Sequence, residues 1–261
     1  MKPNIHFAHG NGFPSPCYRQ LFLALEERYQ VGYIDRVGHN PRYPVTENWH
    51  HLVDELIDSI RQKYNEPVIG LGHSLGGALN YLAALKQPEL FQAVVMIDSP
   101  LLNRFKSRIV RLAKKLGFID RITPAYRTRG RRQTWATYEQ LEAYLRDRPL
   151  FKTFSDACLK DYIEYGCKKD ENGYSLRFER SIEYMIYRTV PHHLPKYEGK
   201  LDLPAALIYG DHSDVVDGFD VRYMTKKYQI KCFKMPGTHL LPMEDPQGTA
   251  QQIFTALDAI L

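Results

Sequence analysis

The sequence predicts an α/β protein with a doubly wound, mostly parallel sheet of about six strands. Short apolar runs alternate with helical patterns in both halves of the 261-residue chain, and this alternation implies right-handed crossovers between parallel strands. Glycine-rich turns follow several of the runs. Hydrophobic residues make up 44% of the chain and charged residues 25%, which is enough apolar material for a sizeable buried core.

Six apolar runs are the predicted strands. In chain order they are Asn4–Ala8, Val31–Ile34, Pro67–Leu71, Ala93–Ile97, Pro204–Tyr209 and Ile230–Met235. Helical spacing of apolar residues predicts a helix after each of the first three runs, one between the last two, and one at the end. These helices span about Ser15–Arg28, Asn48–Tyr64, Ala78–Leu85, Phe219–Tyr228 and Pro246–Leu261.

The alternation stops over residues 101–200. This segment has helical and irregular patterns, many aromatic residues and no convincing buried strand. An insertion between the fourth and fifth strands lies above the carboxyl ends of the strands, where open α/β sheets carry their active sites. We therefore divide the chain into a core of residues 1–100 and 201–261 and a helical cap or lid of residues 101–200.

Ser74 is the predicted nucleophile, because Gly72–Gly76 reads Gly-His-Ser-Leu-Gly and matches G-x-S-x-G. The bare pattern is weak, but here it follows an apolar strand and opens a helix, as a nucleophile elbow requires. Such a turn strains the serine backbone and leaves no room for side chains two residues away. It also puts the Leu75 N–H at a helix N-terminus, where it can stabilise negative charge. A glycine-rich turn with a capping serine is the alternative.

A serine nucleophile needs a base and an orienting acid, in the chain order Ser, Asp or Glu, His for this topology. His239 is the predicted base, because the turn Pro236–Pro242 follows the sixth strand and contains it. A histidine with only a surface or core role is the alternative.

Asp214 is the predicted acid. It lies four residues past Gly210 in the turn after the fifth strand, far enough to point across at His239. Asp98, at the end of the fourth strand, is the alternative acid. Two further candidates follow the fifth strand: Asp211, which we expect to hydrogen bond the turn backbone, and Asp217.

The second half of an oxyanion hole is predicted in the loop after the first strand, His9–Pro14. Its glycines let the backbone approach a ligand closely. The Asn11 N–H is the natural partner of the Leu75 N–H, and a tight turn without a catalytic role is the alternative.

Four motifs together resemble the α/β-hydrolase superfamily in its capped esterase- and lipase-like branch. They are HGNGFP, GHSLGGAL, GDHSDVV and GTHLLPMEDP. The resemblance covers roughly residues 4–98 and 203–261. It implies a triad of Ser74, Asp214 and His239, although some relatives place the acid at the position of Asp98. HGN is also similar to haloalkane dehalogenases, but these use an aspartate nucleophile where this chain has Ser74. Because the chain starts directly at the HGN strand, we expect six parallel strands without the superfamily's leading antiparallel ones.

The implied activity is hydrolysis of a carboxylic ester or thioester, a small-molecule acyl substrate, through an acyl-enzyme intermediate. It requires no metal and no organic cofactor. Two alternatives remain: other serine-dependent chemistry on the same fold, such as C–C bond or amide hydrolysis or acyl transfer, and a non-catalytic ligand-binding protein.

Composition indicates the cellular compartment of the protein and leaves its oligomeric state open. The four cysteines are scattered without disulfide or metal spacing, which is typical of a reducing compartment. The N-terminus has no signal-peptide pattern, and no apolar run approaches the length of a membrane span. We therefore expect a cytoplasmic protein without integral membrane association, and the absence of a nucleic-acid motif argues against nucleic acid.

Positive charge is concentrated in the presumed cap. The formal net charge is +5, yet residues 101–150 hold thirteen Lys and Arg against four Asp and Glu. The basic stretch Arg127–Arg132, followed by Trp135 and Tyr138, suits an anionic acyl carrier or an anionic lipid surface. A solvated surface without a ligand is the alternative.

Overall fold

The computed structural model describes residues 2–261, and these contain nine strands in two sheets. The strands are β1 (Asn4–Ala8), β2 (Gln30–Tyr33), β3 (Val68–His73), β4 (Phe91–Ile97), β5 (Thr134–Trp135), β6 (Cys167–Asp170), β7 (Gly173–Leu176), β8 (Ala205–Gly210) and β9 (Lys231–Met235). The main sheet has six strands in the order β2-β1-β3-β4-β8-β9, and every pairing in it is parallel. The predicted fold class is therefore confirmed.

The same residues contain twelve α-helices. They are α1 (Arg19–Leu25), α2 (His50–Lys63), α3 (Leu75–Lys86), α4 (Arg104–Lys115), α5 (Ile119–Ile122), α6 (Ala125–Arg129), α7 (Tyr138–Arg146), α8 (Asp156–Gly166), α9 (Arg180–Arg188), α10 (Gly218–Tyr223), α11 (Leu241–Glu244) and α12 (Pro246–Ile260). Within residues 2–261, no helix is both long enough and apolar enough to cross a lipid bilayer.

Helices cover both faces of the main sheet, which is why its central strands are continuous apolar runs. On one face, Ile69 and Val95 pack in one cluster with residues of α1 and α12. On the other face, Val94, Met96 and Leu207 pack with residues of α2 and α3. These two layers form the core and hold the strand ends in place.

The carboxyl ends of all six parallel strands lie at one edge of the sheet, where α/β proteins bind their ligands. Four of the predicted site residues follow strands directly or closely: Asn11 after β1, Ser74 after β3, Asp98 after β4 and His239 after β9. The topology alone therefore gathers these residues at one edge.

The segment between β4 and β8 is mainly helical, as predicted, and includes α4–α9. It also contains a second, antiparallel sheet in the order β5-β7-β6, which was not predicted. The β6–β7 hairpin turns at Glu171–Asn172, since Asp170 pairs with Gly173. Gly173 has φ +112, and a Cβ there would lie 2.3 Å from the Trp135 carbonyl oxygen, so glycine is required at this turn.

Candidate active site

Ser74 occupies the sharp turn between β3 and α3. Its backbone has φ 51° and ψ −114°, a strained conformation for a residue with a side chain. The turn is held on both sides: the Ser74 N–H donates to the Ile97 carbonyl at 2.9 Å, and the Ser99 hydroxyl donates to the Ser74 carbonyl at 2.6 Å. The strain is therefore imposed by the neighbouring strand, as an elbow requires.

Glycines at both ends of the motif make this turn possible. A Cβ at Gly72 would lie 2.2 Å from the Gly76 carbonyl carbon, and a Cβ at Gly76 would lie 1.9 Å from the Ala8 carbonyl oxygen. Neither clash can be relieved by moving a side chain, because the atoms met are backbone. The predicted steric reason for the two glycines therefore agrees with the geometry.

His239 lies beside Asp98. Nδ1 of His239 is 3.5 Å from Oδ2 of Asp98, whose side chain is 0% exposed. Both atoms are buried, and neither has a hydrogen-bond partner within residues 2–261. Each is thus the available partner of the other, and a small approach would join them. Because the carboxylate faces Nδ1, the other ring nitrogen of His239 is left to act as a base.

Ser213 holds the Asp98 carboxylate from its other side. The Ser213 hydroxyl donates to Oδ1 of Asp98 at 2.7 Å. Oγ of Ser213 in turn accepts the N–H groups of Val215 at 3.1 Å and Val216 at 3.0 Å. The turn after β8 therefore supplies a positioning serine, which the sequence analysis missed.

The structure does not bring Asp214 to His239. The Asp214 side chain is exposed, and the ion pair of His239 within residues 2–261 is with Asp98. Asp211 accepts the Gly237 N–H at 3.0 Å, the turn-backbone bond expected of it, and this bond lowers the Asp211 pKa. Asp217 caps the N-terminus of α10. Of the four candidate acids, Asp98 is the one that meets His239.

A buried hydrogen-bond chain ties the loop after β1 to His239. The Gly10 N–H donates to the Tyr18 hydroxyl at 3.0 Å, the hydroxyl pairs with Nδ1 of His73 at 2.7 Å, and Nε2 of His73 meets the His239 carbonyl at 2.8 Å. A carbonyl only accepts, so Nε2 carries the proton and Nδ1 accepts from Tyr18. Burial lowers the His73 pKa to about 3, which keeps the ring neutral. This series of hydrogen bonds fixes the backbone at His239.

The predicted oxyanion donors are the backbone N–H groups of Asn11 and Leu75. Within residues 2–261, neither group donates to a backbone carbonyl. Leu75 is the first residue of the 12-residue helix α3, so the helix dipole adds to the attraction for an anion. The two segments touch, since a Cβ at Gly10 would lie 2.7 Å from Nδ1 of His73.

Helix α9 fixes the Asn11 loop from above. Nδ2 of Asn11 donates to the Glu183 carbonyl at 3.0 Å, and a Cβ at Gly12 would lie 3.2 Å from Oε1 of Glu183. Nη1 of Arg131 donates to the same Oε1 at 3.0 Å. Burial raises the Glu183 pKa, and the Arg131 guanidinium opposes this shift. Arg131 is therefore a partner of Glu183 rather than a free surface charge. Trp135, which follows the basic stretch Arg127–Arg132, is buried as well, at 2% exposure.

A six-stranded parallel sheet with a strained serine at the turn between its third strand and the following helix has the architecture of an α/β hydrolase. The chain belongs to that family: the model of the alpha/beta hydrolase family matches residues 7–252.

Relatives with assigned functions share parts of the chain. A pimeloyl-[acyl-carrier protein] methyl ester esterase of Shewanella woodyi is 33% identical over 91 residues, 35% of this chain and 34% of that protein. The rat (Rattus norvegicus) monoglyceride lipase is 30% identical over 129 residues, 45% of this chain and 43% of that protein. The chain thus spans less than half the length of these relatives.

Among solved structures, that of E-2-(acetamidomethylene)succinate hydrolase superposes with a TM-score of 0.80 at 21% identity, covering 99% of this chain and 92% of that one. Similarity at this level of identity shows the shared fold.

Proposed function

We propose that the protein is a serine hydrolase that cleaves a carboxylic ester or thioester through an acyl-enzyme intermediate. Ser74 is the nucleophile, His239 the general base and Asp98 the orienting acid. The observation that carries the proposal is the pairing of His239 with a fully buried carboxylate at the sheet edge where Ser74 is held in a strained elbow.

The reaction begins when Ser74 Oγ attacks the carbonyl carbon while Nε2 of His239 accepts the hydroxyl proton. The N–H groups of Asn11 and Leu75 donate to the oxyanion that forms, and one such donor typically contributes about 3–4 kcal/mol. The intermediate collapses, the alcohol or thiol leaves with the proton from His239, and Ser74 keeps the acyl group. Water activated by His239 then releases the acid.

Asp98 serves this cycle by keeping the proton of neutral His239 on Nδ1 and by balancing the charge of the imidazolium that forms. The buried carboxylate is accompanied by the Ser213 hydroxyl. This assignment replaces Asp214 with the alternative acid, because a charge in solvent beyond contact distance orients an imidazole poorly.

One observation favours ester cleavage over other acyl chemistry. The names of the two partial relatives describe a methyl ester esterase and a monoglyceride lipase, both of which cleave esters. The Ser74 elbow and the two unpaired N–H groups suit any acyl carbonyl, so amide and C–C bond hydrolysis and acyl transfer belong in the same test. We propose that residues 101–200 form the cap over this site and that the protein acts on a small-molecule acyl substrate.

The test compares wild-type protein with Ser74→Ala on p-nitrophenyl acetate and butyrate, acyl-CoA thioesters and matched anilides. Wild type should hydrolyse an ester or thioester, and the variant should lose at least about a thousandfold in kcat, because losses within a triad approach the loss of the whole unit. Ser181→Ala, on the exposed surface of α9, is the matched control and should keep full activity. Substantial turnover by Ser74→Ala would contradict the nucleophile assignment, and hydrolysis of anilides alone would contradict the substrate class.

A further inference from the structure

Helix α4 and Leu116, the residue that directly follows it, expose a row of large apolar side chains. We name this row the α4 stripe, and its exposed fractions are 69%, 39%, 53% and 61% for Phe105, Ile109, Leu112 and Leu116. The intervals of four, three and four residues put all four on one side of the helix. Ile122 and Tyr126, in the two short helices that follow, are also exposed, at 44% and 54%. Soluble monomers seldom expose so continuous an apolar surface without a use for it.

The opposite side of α4 is already packed on the protein. Val110 and Ala113 are buried, and the Lys106 ammonium pairs with Asp220 at 2.6 Å and with Asp217 at 3.0 Å. The Asn103 side chain caps the helix by accepting the Lys106 N–H at 2.9 Å. The helix is therefore folded and anchored, and the stripe is its outward face.

A row of basic side chains lies along one side of the stripe. Arg108, Arg111 and Lys115 are exposed, and within residues 2–261 none of them pairs with a carboxylate. Other cations of the helix are engaged: Arg104 pairs with Glu198 at 2.8 Å. The charge that remains free on α4 is therefore concentrated beside the stripe.

The basic row continues into a cleft of about 390 Å³. Arg108 and Arg111 line it together with His192, His193 and Lys196, and no carboxylate is among its lining residues. Burial, assisted by nearby cations, lowers the pKa of both histidines, so the cleft owes its positive charge to the arginines and the lysine. Its positive charge suits an anionic group.

We propose that α4 docks the protein on an anionic lipid surface, with the α4 stripe inserted at the level of the upper acyl chains and Arg108, Arg111 and Lys115 at the level of the phosphates. Amphipathic helices with one apolar and one basic side lie in membrane interfaces in this way. A soluble polyanion would satisfy the charges and leave the stripe in water, so charge and apolar surface together favour lipid. Docking does not depend on the chemistry of Ser74.

The location differs from the one that the sequence suggested. In the basic stretch Arg127–Arg132, Arg131 is engaged with Glu183, and the neighbouring Trp135 is buried. The apolar and basic surfaces that adjoin in the structure belong to α4, in the same inserted segment.

The first test is sedimentation with vesicles of phosphatidylcholine, with and without phosphatidylglycerol. Wild-type protein should sediment with the anionic vesicles and stay in solution with the neutral ones, and added salt should weaken binding because it screens exposed charges. Protein that remains in solution with anionic vesicles would overturn the proposal.

Two sets of variants, each with a control elsewhere on the surface, separate the contribution of the apolar side chains to vesicle binding from that of the basic ones. The stripe variant combines Phe105→Ser, Ile109→Ser, Leu112→Ser and Leu116→Ser, and its control combines Leu23→Ser and Leu150→Ser, which are 48% and 46% exposed on other elements. The charge variant combines Arg108→Gln, Arg111→Gln and Lys115→Gln, and its control removes the same charge through Arg42→Gln, Lys152→Gln and Lys160→Gln, all exposed.

Stripe and charge variants should each bind anionic vesicles at least about tenfold more weakly, while both controls bind like wild type. All variants should keep the wild-type circular dichroism spectrum and hydrolyse a soluble ester as wild type does. If only the charge variant loses binding, the surface is a site for soluble polyanions and the proposal is wrong.

A tryptophan probe reports insertion directly. The native Trp49 and Trp135 are buried, at 6% and 2% exposure, so Phe105→Trp places a new indole in solvent. Its emission should shift to shorter wavelength with anionic vesicles and stay unchanged with inorganic phosphate or heparin. A shift with heparin, or none with vesicles, would contradict insertion.

Discussion

Oδ2 of Asp98 lies 3.5 Å from Nδ1 of His239, and this contact is the reason why we propose Asp98 as the acid that orients the histidine. Asp98 ends β4 and His239 follows β9, so the two residues come from different strand ends of one sheet. Asp98 has φ 44, a left-handed backbone conformation that is rare for residues with a side chain. The backbone at the end of β4 therefore holds Asp98 in a conformation that a residue with a side chain rarely adopts.

Replacing each of the two acids in turn should distinguish the role of Asp98 from that of Asp214. Asp98→Asn should lower kcat/KM by roughly ten-thousandfold, because it removes the charge that orients His239. Asp214→Asn should change kcat/KM by less than about twofold, since an exposed surface charge contributes little. The measurement is steady-state kinetics on the best ester found. A larger loss for Asp214→Asn would return the role of the acid to the turn after β8.

Ser213 should act through Asp98. Ser213→Ala removes the hydroxyl that donates to Oδ1 of Asp98, so we expect kcat to fall about tenfold, comparable to one hydrogen bond to a charged group, with KM nearly unchanged. Ser213→Thr keeps the hydroxyl and should recover most of the rate. A rise in KM with constant kcat, or no recovery with threonine, would indicate a general structural effect instead.

The elbow should tolerate no side chain at Gly76. Gly76→Ala places its Cβ against the Ala8 carbonyl oxygen, and we expect a loss of about 3 kcal/mol or more in the free energy of unfolding. Gly130→Ala is the control, because Gly130 has φ −97 and nothing lies within 4 Å of the added Cβ. Urea denaturation measures both. Equal stability of the two variants would show that the elbow is looser than the structure indicates.

Three buried histidines should make the protein sensitive to acid. Burial lowers the pKa of His6 to about 3, of His9 to about 4 and of His73 to about 3, against 6.5 for the free side chain. Below about pH 6.5 the unfolded chain binds protons that the folded chain does not bind, so stability falls as pH is lowered through the interval from 6.5 to about 3. Each pKa unit of difference corresponds to about 1.4 kcal/mol at most.

Glu55 acts in the opposite direction. Burial raises its pKa to about 7, so the folded chain binds its proton first and gains stability on acidification. Burial also raises the pKa of Asp161, Glu183 and Asp220. The histidines whose pKa burial lowers also include His39, His192 and His193, so six histidines oppose these four acids. Calorimetry should therefore show a falling Tm from pH 7 to pH 4.5. His6→Gln, remote from the active site, should flatten this slope, and a Tm independent of pH would contradict the neutral state of these rings.

The main sheet was predictable because its strands are buried on both faces. Burial of this kind requires continuous apolar runs such as Ala93–Ile97, and the observed strand β4 contains that run. The hairpin of β6 and β7 was missed because its residues after Cys167 are exposed or half-buried and carry no apolar pattern. Asn172-Gly173 was the available signal, since this dipeptide is typical of tight hairpins.

The turn at Ser74 was predictable because the sequence motif itself requires a particular backbone geometry. Ser74 needs its flanking glycines, so the motif predicts the turn. Spacing could not decide between the candidate acids Asp214 and Asp98, because it does not say which side chain points inward. In the turn after β8 the short side chain of Ser213 faces Asp98, and Asp214 faces solvent. The hydrogen bond from His73 to the His239 carbonyl depends on the contact between His73 and Tyr18, and no local sequence pattern predicts that contact.

The most direct test of the account is to react the protein with a fluorophosphonate and map the adduct by mass spectrometry. We predict a single adduct on Ser74 of wild type, formed equally fast in Asp214→Asn and at least about a hundredfold more slowly in Asp98→Asn. An adduct on another residue, no adduct at all, or undiminished labelling of Asp98→Asn would contradict a Ser74 nucleophile activated by His239 and Asp98.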